Sequence, residues 1–412
     1  MCMQVILFED YKIWDFLPFT YTRPFAALRI GIDTIIEKWK FYIPEIKLVT
    51  RNPLSEKFND IYSEIETLFI NSRYLPTENL LSQIQSLEKN SLLTFGDDVV
   101  AFRCDEKLIQ EELIHRPLSF EFLNELKKFF NEISIGDQNY YSLNKITDLF
   151  LKNGYVIVWD FQRLKQNKVT FPINDPYTKV YHQENIFIEE GVEIRSAILN
   201  ASKGPIYIGK YSEIQENSVI IGPCAIGEHA VIHIGAKIRG ETTIGPYCKV
   251  GGEISNSVLL GYSNKAHDGF LGNSYIGEWS NLGADTNTSN LKNNYSNVRI
   301  YSEYRESYID TETQFCGTFM GDHSKTGINT MLNTGSVIGV CANIFGGDFP
   351  PKHVPSFSWG SSEGFETFQL EKAFEVAERM MARRKVLFTE IDKKILSFVY
   401  QQTLKFRAMN KF

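Results

Sequence analysis

A chain of 412 residues, 43% of them hydrophobic, has room for two or three packed domains. Its net charge of −7 gives no basic footprint for nucleic acid, and no apolar run reaches the length of a membrane helix. Six cysteines without a CxxC pair argue against a disulfide or zinc framework, and the opening Met1-Cys2-Met3-Gln4 has no signal-peptide shape, so buried thiols and a cytoplasmic location are expected.

Residues 1–170 have the alternation of an α/β domain with a mostly parallel sheet. Val5 to Phe8 is a short buried-strand pattern. Leu28 to Trp39 carries Ile32, Ile35, Ile36 and Trp39 at helical spacing. Strands are expected at Lys47–Thr50, Leu68–Asn71, Leu92–Phe95 and Val99–Phe102, with a helix over Asn79–Leu87. Tyr155 to Trp159 is predicted as a late strand ending in Asp160. Ligands of such sheets bind beyond the carboxyl ends of strands, where Asp97, Asp98 and Asp160 stand. Gly96-Asp97-Asp98 has two readings: an Mg²⁺ site shared with substrate phosphates, or a solvated turn. Arg23 and Arg29 in Thr22-Arg23-Pro24…Arg29 are candidate phosphate cations or plain surface residues. Walker and GxGxxG loops are absent.

A six-residue beat follows. Ile208, Ile214, Ile220, Ile226, Ile232, Ile238, Ile244 and Val250 recur without a miss. Four residues after the first seven stands a small side chain: Ser212, Ser218, Cys224, Ala230, Ala236, Thr242 and Cys248. Neither a 3.6-residue helix nor a two-residue strand sustains six, whereas a hexapeptide solenoid does. Three strands close one coil, so Ile208, Ile226 and Ile244 should stack at eighteen residues. After Gly251-Gly252 the register slips by two. It resumes at Val258, Asn264, Phe270, Ile276 and Leu282, and again at Met320, Thr326, Leu332, Ile338 and Ile344. The slips read as corner insertions, with Asn264 and Thr326 as polar misses at core positions. Ile188 and Ile194 supply the first rungs, so the solenoid is placed at 183–347.

Ser356 to Gly360 is read as leaving the solenoid, and 360–412 as a helical extension. Leu370, Phe374, Ala377, Met381 and Phe388 form an apolar stripe at helical spacing. The reverse face carries Arg379, Arg383, Arg384 and Lys385, which form either a solvated face or a seat for the 3′-phosphate of coenzyme A.

The stretch Gly261-Tyr262-Ser263-Asn264-Lys265-Ala266-His267-Asp268-Gly269-Phe270-Leu271-Gly272-Asn273, continuing through Ile276-Gly277 to Asn281-Leu282-Gly283-Ala284 and Asn290, resembles one family. That family is the bifunctional N-acetylglucosamine-1-phosphate uridylyltransferase/glucosamine-1-phosphate acetyltransferases, in the divergent form of the Bacteroidetes group. Thr22-Arg23-Pro24, Leu28-Arg29-Ile30-Gly31 and Glu37-Lys38-Trp39 add a weaker match.

The resemblance implies a nucleotidyltransferase-like α/β domain, then a left-handed parallel β-helix that forms homotrimers and takes acetyl-CoA between neighbouring prisms. His267, Phe270, Leu271 and Gly272 take the places of a His-x-x-Tyr-Leu-Gly pattern. His267 is then the general base that removes a proton as the sugar amine attacks the thioester. Asn281 and Asn290 correspond to asparagines that hold the sugar phosphate and amine, and Ala284 and Thr318 to positions lining the coenzyme site. Each also has a plainer account: His267 as a corner residue, the asparagines as turn formers, and the small residues as the repeat's own rule. The chain departs from the pattern at Phe270, where the family has Tyr, and at Ser255, where a family Lys stands; Lys265 is a substitute phosphate cation. The Gly-rich nucleotide loop is missing, which leaves Arg23 to replace a family Arg, and Asp97 with Asp160 as the Mg²⁺ ligands. The implied function is sugar-nucleotide synthesis: acetyl transfer from acetyl-CoA to an amino-sugar 1-phosphate, and nucleotidyl transfer from UTP or another nucleoside triphosphate, toward UDP-N-acetylglucosamine. The alternatives are one active site of the two, a non-catalytic sugar-nucleotide binder, or a zinc hydratase using His229, His233 and His267.

Overall fold

The computed structural model describes residues 4–60, 66–104, 109, 112–113, 115–136, 141–166 and 169–409. They form two compact units, Met1–Leu28 with Asp33–Ile146, and Arg29–Ile32 with Thr147–Phe412.

In the first unit the described residues form a sheet of β1 (Gln4–Phe8), β2 (Lys47–Leu48), β3 (Thr67–Asn71), β4 (Ser91–Phe95), β5 (Asp98–Cys104) and β6 (Asn131–Ser134). The order is β2-β1-β3-β5-β4-β6. β1 lies parallel to β2 and β3, whereas β5 runs antiparallel to β3 and β4. Ile6, Phe8, Phe69, Leu92 and Phe102 meet in its core, with the rings of Phe69 and Phe102 stacked at 4.8 Å. The helix expected from Leu28 begins only at Ile35 and runs to Tyr42. Thr34 caps it through Glu37 in a capping box, and Gly31 just upstream takes φ +71°, outside helical geometry.

The second unit is a left-handed parallel β-helix with three stacked walls. One wall holds nine short strands from Ile186–Ile188 to His353–Val354. A second holds six from Lys179–Tyr181 to Phe270–Gly272, and the third stacks Glu193–Ile194, Glu213–Ile214, Val231–Ile232, Lys249–Val250 and Asn264–Lys265. Ile208 pairs with Ile226 and Ile226 with Ile244, so the eighteen-residue coil stands. All eight beat residues and all seven small residues are buried, filling one continuous core. The cysteines in it are plain thiols: burial pushes Cys224 and Cys248 up to about 12.

The slip is a shortening, not an insertion. Ile238 pairs with Ile254, Ile244 with Leu259 and Val250 with Lys265, so that coil is two or three residues short. The inward positions after it are therefore Leu259, Lys265 and Leu271, one place beyond the expected Val258, Asn264 and Phe270. The one large insertion lies between Ile276 and Met320, which stack directly; the chain between them throws out a hairpin of Arg299–Ser302 and Ser307–Asp310. Stacking also runs further than the hexapeptide signal. Lys179–Tyr181 pairs with Ile198–Asn200 at one end, and Ser358–Ser361 with Asn343–Ile344 at the other.

At one corner six successive coils turn through an aromatic residue in left-handed conformation, Tyr211, His229, Tyr247, Tyr262, Trp279 and His323, with Gly191 at that corner on the coil before and Cys341 on the coil after. Their rings stack in sequence with centroids 4.3 to 6.2 Å apart. The strand-to-strand spacing of about 4.8 Å sets that distance, so ring contact offsets the cost of positive φ at each corner.

The expected strand Tyr155–Trp159 is a helix, Asn153–Lys165. Ile157, Phe161 and Leu164 lie on one face and pack on Phe187, Tyr207 and Ala225 of the β-helix wall. That periodicity outweighs the β-branched run Val156-Ile157-Val158. The C-terminal extension forms helices Leu370–Ala382, Glu390–Gln402 and Leu404–Met409, burying Ala373, Ala377 and Met381.

Candidate active site

The third wall turns an outward column of side chains through Val231, Lys249, Asn264 and Asn281 in successive coils. The corner after it carries Ala266 and His267 on one coil, Gly283 and Ala284 on the next, and Ile328 beyond. From Lys249 onward these residues line a cleft of about 580 Å³, completed by Tyr262 and Trp279 of the aromatic stack and by Met380, Arg383 and Arg384 from the C-terminal helix and its end. The size suits a small-molecule site. Its polar groups converge: Asn264 Nδ2 donates to Asn281 Oδ1 at 3.4 Å, and Arg384 donates to Asn264 Oδ1 at 3.4 Å.

His267 is exposed in this cleft. Its loop, Ala266–Gly269, lies over the shortened corner of the preceding coil, where Gly251 and Gly252 take the backbone around. A Cβ on Gly252 would stand 2.6 Å from Gly269 O and 3.0 Å from His267 O, so the double glycine is what lets the loop settle there. Nearby, burial pushes the His233 imidazole down, helped by the charges of Lys249 and His267, and Gln215 Oε1 lies 3.2 Å from its Nδ1.

The structure brings His267, Asn281 and Ala284 together. Asn290 is elsewhere: its Nδ2 donates to Asn273 Oδ1 at 2.7 Å, and neither residue lines the cleft. Thr318 is fully buried within the nine-stranded wall and does not line the cleft. Lys265 is not a surface cation. It takes the inward register opposite Val250, is 1% exposed, and donates from Nζ to His267 O at 2.7 Å and Asp268 O at 3.0 Å. The sequence reading missed Lys249, Asn264, Tyr262, Trp279 and Ile328. The pairing of outward positions on one wall was the available signal for the first two.

In the first unit the acidic residues sort differently from expectation. Asp97 sits exposed at the tip of the β4–β5 hairpin, beside Gly96 at φ +57°, and Lys127 Nζ donates to its carbonyl at 3.1 Å. Asp98 instead joins Asp10 around the fully buried Arg73, whose guanidinium bonds both carboxylates, and Tyr74 and Lys12 also donate to Asp98. Burial raises the Asp98 carboxyl, but the Arg73 charge and hydrogen bonds from Lys12 and Arg73 outweigh it and hold the group below its usual range. Arg23 is only 6% exposed. Asp160, in the second unit, does not fit a metal: it is 0% exposed inside its helix, accepts from Ile32 N at 2.8 Å and pairs with Arg163 at 3.2 Å. Among the described residues no three His, Cys, Asp or Glu groups gather to hold a cation. The zinc reading is overturned as well: His229 is spent in the aromatic stack, at a different corner from His233 and His267.

Residues 5–169 match the family model described as sugar nucleotidyl transferase. A bifunctional sugar-1-phosphate nucleotidylyltransferase/acetyltransferase of Sulfurisphaera tokodaii is 24% identical over 387 residues, covering 80% of this chain and 92% of its own. A bifunctional protein GlmU of Picosynechococcus sp. is 29% identical over 157 residues; that match spans 37% of this chain and 31% of the cyanobacterial protein. Among solved structures, a UDP-N-acetylglucosamine acyltransferase of Arabidopsis aligns over 57% of this chain and 91% of its own, at 16% identity and a TM-score of 0.23. The chain is thus an enzyme of the transferase class, a relative of the bifunctional sugar-1-phosphate nucleotidylyltransferase/acetyltransferases with a sugar nucleotidyl transferase domain over residues 5–169.

Proposed function

We propose that this enzyme serves sugar-nucleotide synthesis, with acetyl transfer to an amino-sugar 1-phosphate in the cleft of the β-helix and nucleotidyl transfer in the N-terminal domain. The observation that carries the first half is the convergence of His267, Asn281 and Ala284 in one cleft that also holds Arg383 and Arg384. In this reading the sugar amine attacks the thioester carbonyl of acetyl-CoA. His267 accepts the amine proton, the carbon–sulfur bond breaks, and the imidazolium returns the proton to the leaving thiolate. Asn281 and Asn264 orient the sugar, since amides donate and accept together. Small Ala284 leaves room for the pantetheine arm, and Arg383 and Arg384 take the coenzyme's phosphates. A homotrimer completes the site: Ile234 and Ile328 are 68% and 70% exposed on the edge that carries His267, and Ile328 lines the cleft itself.

Nucleotidyl transfer calls for Mg²⁺, which neutralises charge on the transferred phosphate. Mg²⁺ is commonly held by one or two carboxylates together with substrate phosphates. Asp97, exposed at its hairpin tip, suits the single-carboxylate arrangement, whereas Asp160 does not. The pairing of Asp10 and Asp98 with Arg73 favours a second reading, in which only the acetyltransferase half turns over. No helix among the described residues is long and apolar enough to cross a membrane.

The test takes the halves separately. Thiol release from acetyl-CoA with glucosamine 1-phosphate, abolished in His267→Ala, supports the first; no release with any hexosamine phosphate rejects it. Pyrophosphate release from UTP and N-acetylglucosamine 1-phosphate supports the second, and release unchanged in Asp97→Ala removes the metal assignment.

A further inference from the structure

The inward column of the third wall runs Ile194, Ile214, Ile232, Val250, Lys265, then Leu282, Thr326 and Ile344. Seven of its eight members are aliphatic or, at Thr326, a small hydroxyl. Lys265 alone is charged, and it lies in the coil that carries His267. A buried amine in an aliphatic column is costly unless its hydrogens are satisfied. Here two of them are bonded, by the carbonyls of His267 and Asp268, and both acceptors belong to the loop that displays the imidazole. Burial pushes the ammonium down to about 8, against the opposing charges of Asp268 and Asp285, as expected of a cation withdrawn from water.

We propose that Lys265 is a positioning residue for acyl transfer: from inside the coil its Nζ grips the backbone of Ala266–Gly269 and fixes where the His267 ring stands. The inference rests on the proposed role of His267. Beyond these two bonds, Glu253 N donates to Gly269 O at 3.1 Å and ties down only the far end of the loop. Gly269 turns at φ +109°, and the coil beneath offers a shortened Gly251-Gly252 corner without side chains. An aliphatic residue would complete the column and leave two inward carbonyls unbonded. The chain therefore gives up core continuity at this one rung to order one loop, as proteins do where function overrides packing.

Lys265→Met and Lys265→Leu restore an apolar rung. Both variants should melt at or above the wild-type temperature, yet lose roughly tenfold to a hundredfold in kcat for thiol release, with KM for acetyl-CoA within about twofold. The decisive comparison is a double-mutant cycle. In a His267→Ala background, Lys265→Met should leave the residual rate unchanged, because a residue acting through the imidazole has nothing left to position. Unchanged kcat in a folded single variant overturns the proposal, as does an equal loss with and without the imidazole. Failure of both variants to fold would make Lys265 a core residue and overturn it too. If His267→Ala itself retains wild-type thiol release, the reading of the cleft has failed rather than this inference.

Discussion

Gly252→Ala tests whether the shortened corner sets the height of the His267 loop. Gly252 and Gly235 occupy corners after strands of the same wall, with nearly equal φ, +69° and +70°. An alanine at either must adopt the left-handed region, at about 1–2 kcal/mol. At Gly235 nothing lies within 4 Å of the new Cβ. At Gly252 it meets Gly269 O at 2.6 Å, and Asp268 Cα and His267 O at 3.0 Å, well inside the 3.4 Å where ordinary contact begins. Those neighbours are backbone, so the loop must rise by several tenths of an ångström. Overpacking of this kind adds about 1–3 kcal/mol. Gly252→Ala should therefore cost about 2–5 kcal/mol and Gly235→Ala about 1–2, a difference visible as several degrees in thermal melts. A loop displaced by several tenths of an ångström should also lower kcat for thiol release by roughly tenfold or more, while Gly235→Ala stays near wild type. Equal melting temperatures and equal rates for the two variants would refute the reasoning.

Other expectations follow from the same geometry. Asn281→Ala should raise KM for the sugar phosphate about tenfold, whereas Asn290→Ala, outside the cleft, should lose stability through its broken bond to Asn273 and leave KM unchanged; steady-state kinetics with both variants decides it. Asp98 has its folded pKa below the unfolded value, so its contribution is present above about pH 4 and fades as pH falls through the folded pKa. Denaturant unfolding of the N-terminal unit between pH 2 and 6 should show that slope in wild type and a weaker one in Asp98→Asn. Arg73→Leu leaves Asp10 and Asp98 buried without their shared cation and should destabilise that unit by about 3–5 kcal/mol, read by the same unfolding curves.

The six-residue beat was legible because every rung from Ile208 to Val250 spends an aliphatic side chain on the interior. Its phase was lost where the chain shortens. Val258 and Leu259 are both apolar, so hydrophobicity alone does not say which points inward; strand pairing with Ile244 chooses Leu259. Lys265 breaks the aliphatic rule on the coil that carries His267, so a reading built on that rule moved the core to Asn264 and set the lysine outside. The aromatic stack had a visible period, Tyr211, His229 and Tyr247 at eighteen, but only aliphatic and small positions were followed. Asp160 was misplaced because Val156-Ile157-Val158 has strand-like composition; the register of Ile157, Phe161 and Leu164 was the better guide. His267, Asn281 and Ala284 were found through resemblance, since residues on successive coils meet in a cleft only once the coil length between them is known. The arginines of the C-terminal helix fill its far side through tertiary packing, which no local pattern encodes.

The most direct test of the central claim is a crystal structure of the protein with coenzyme A bound. The account predicts density in the cleft lined by Tyr262, Trp279, Ala284 and Arg384, with the thiol facing the His267 imidazole. Coenzyme A bound elsewhere on the chain, or a cleft that stays empty at saturating ligand while thiol release proceeds, would contradict it.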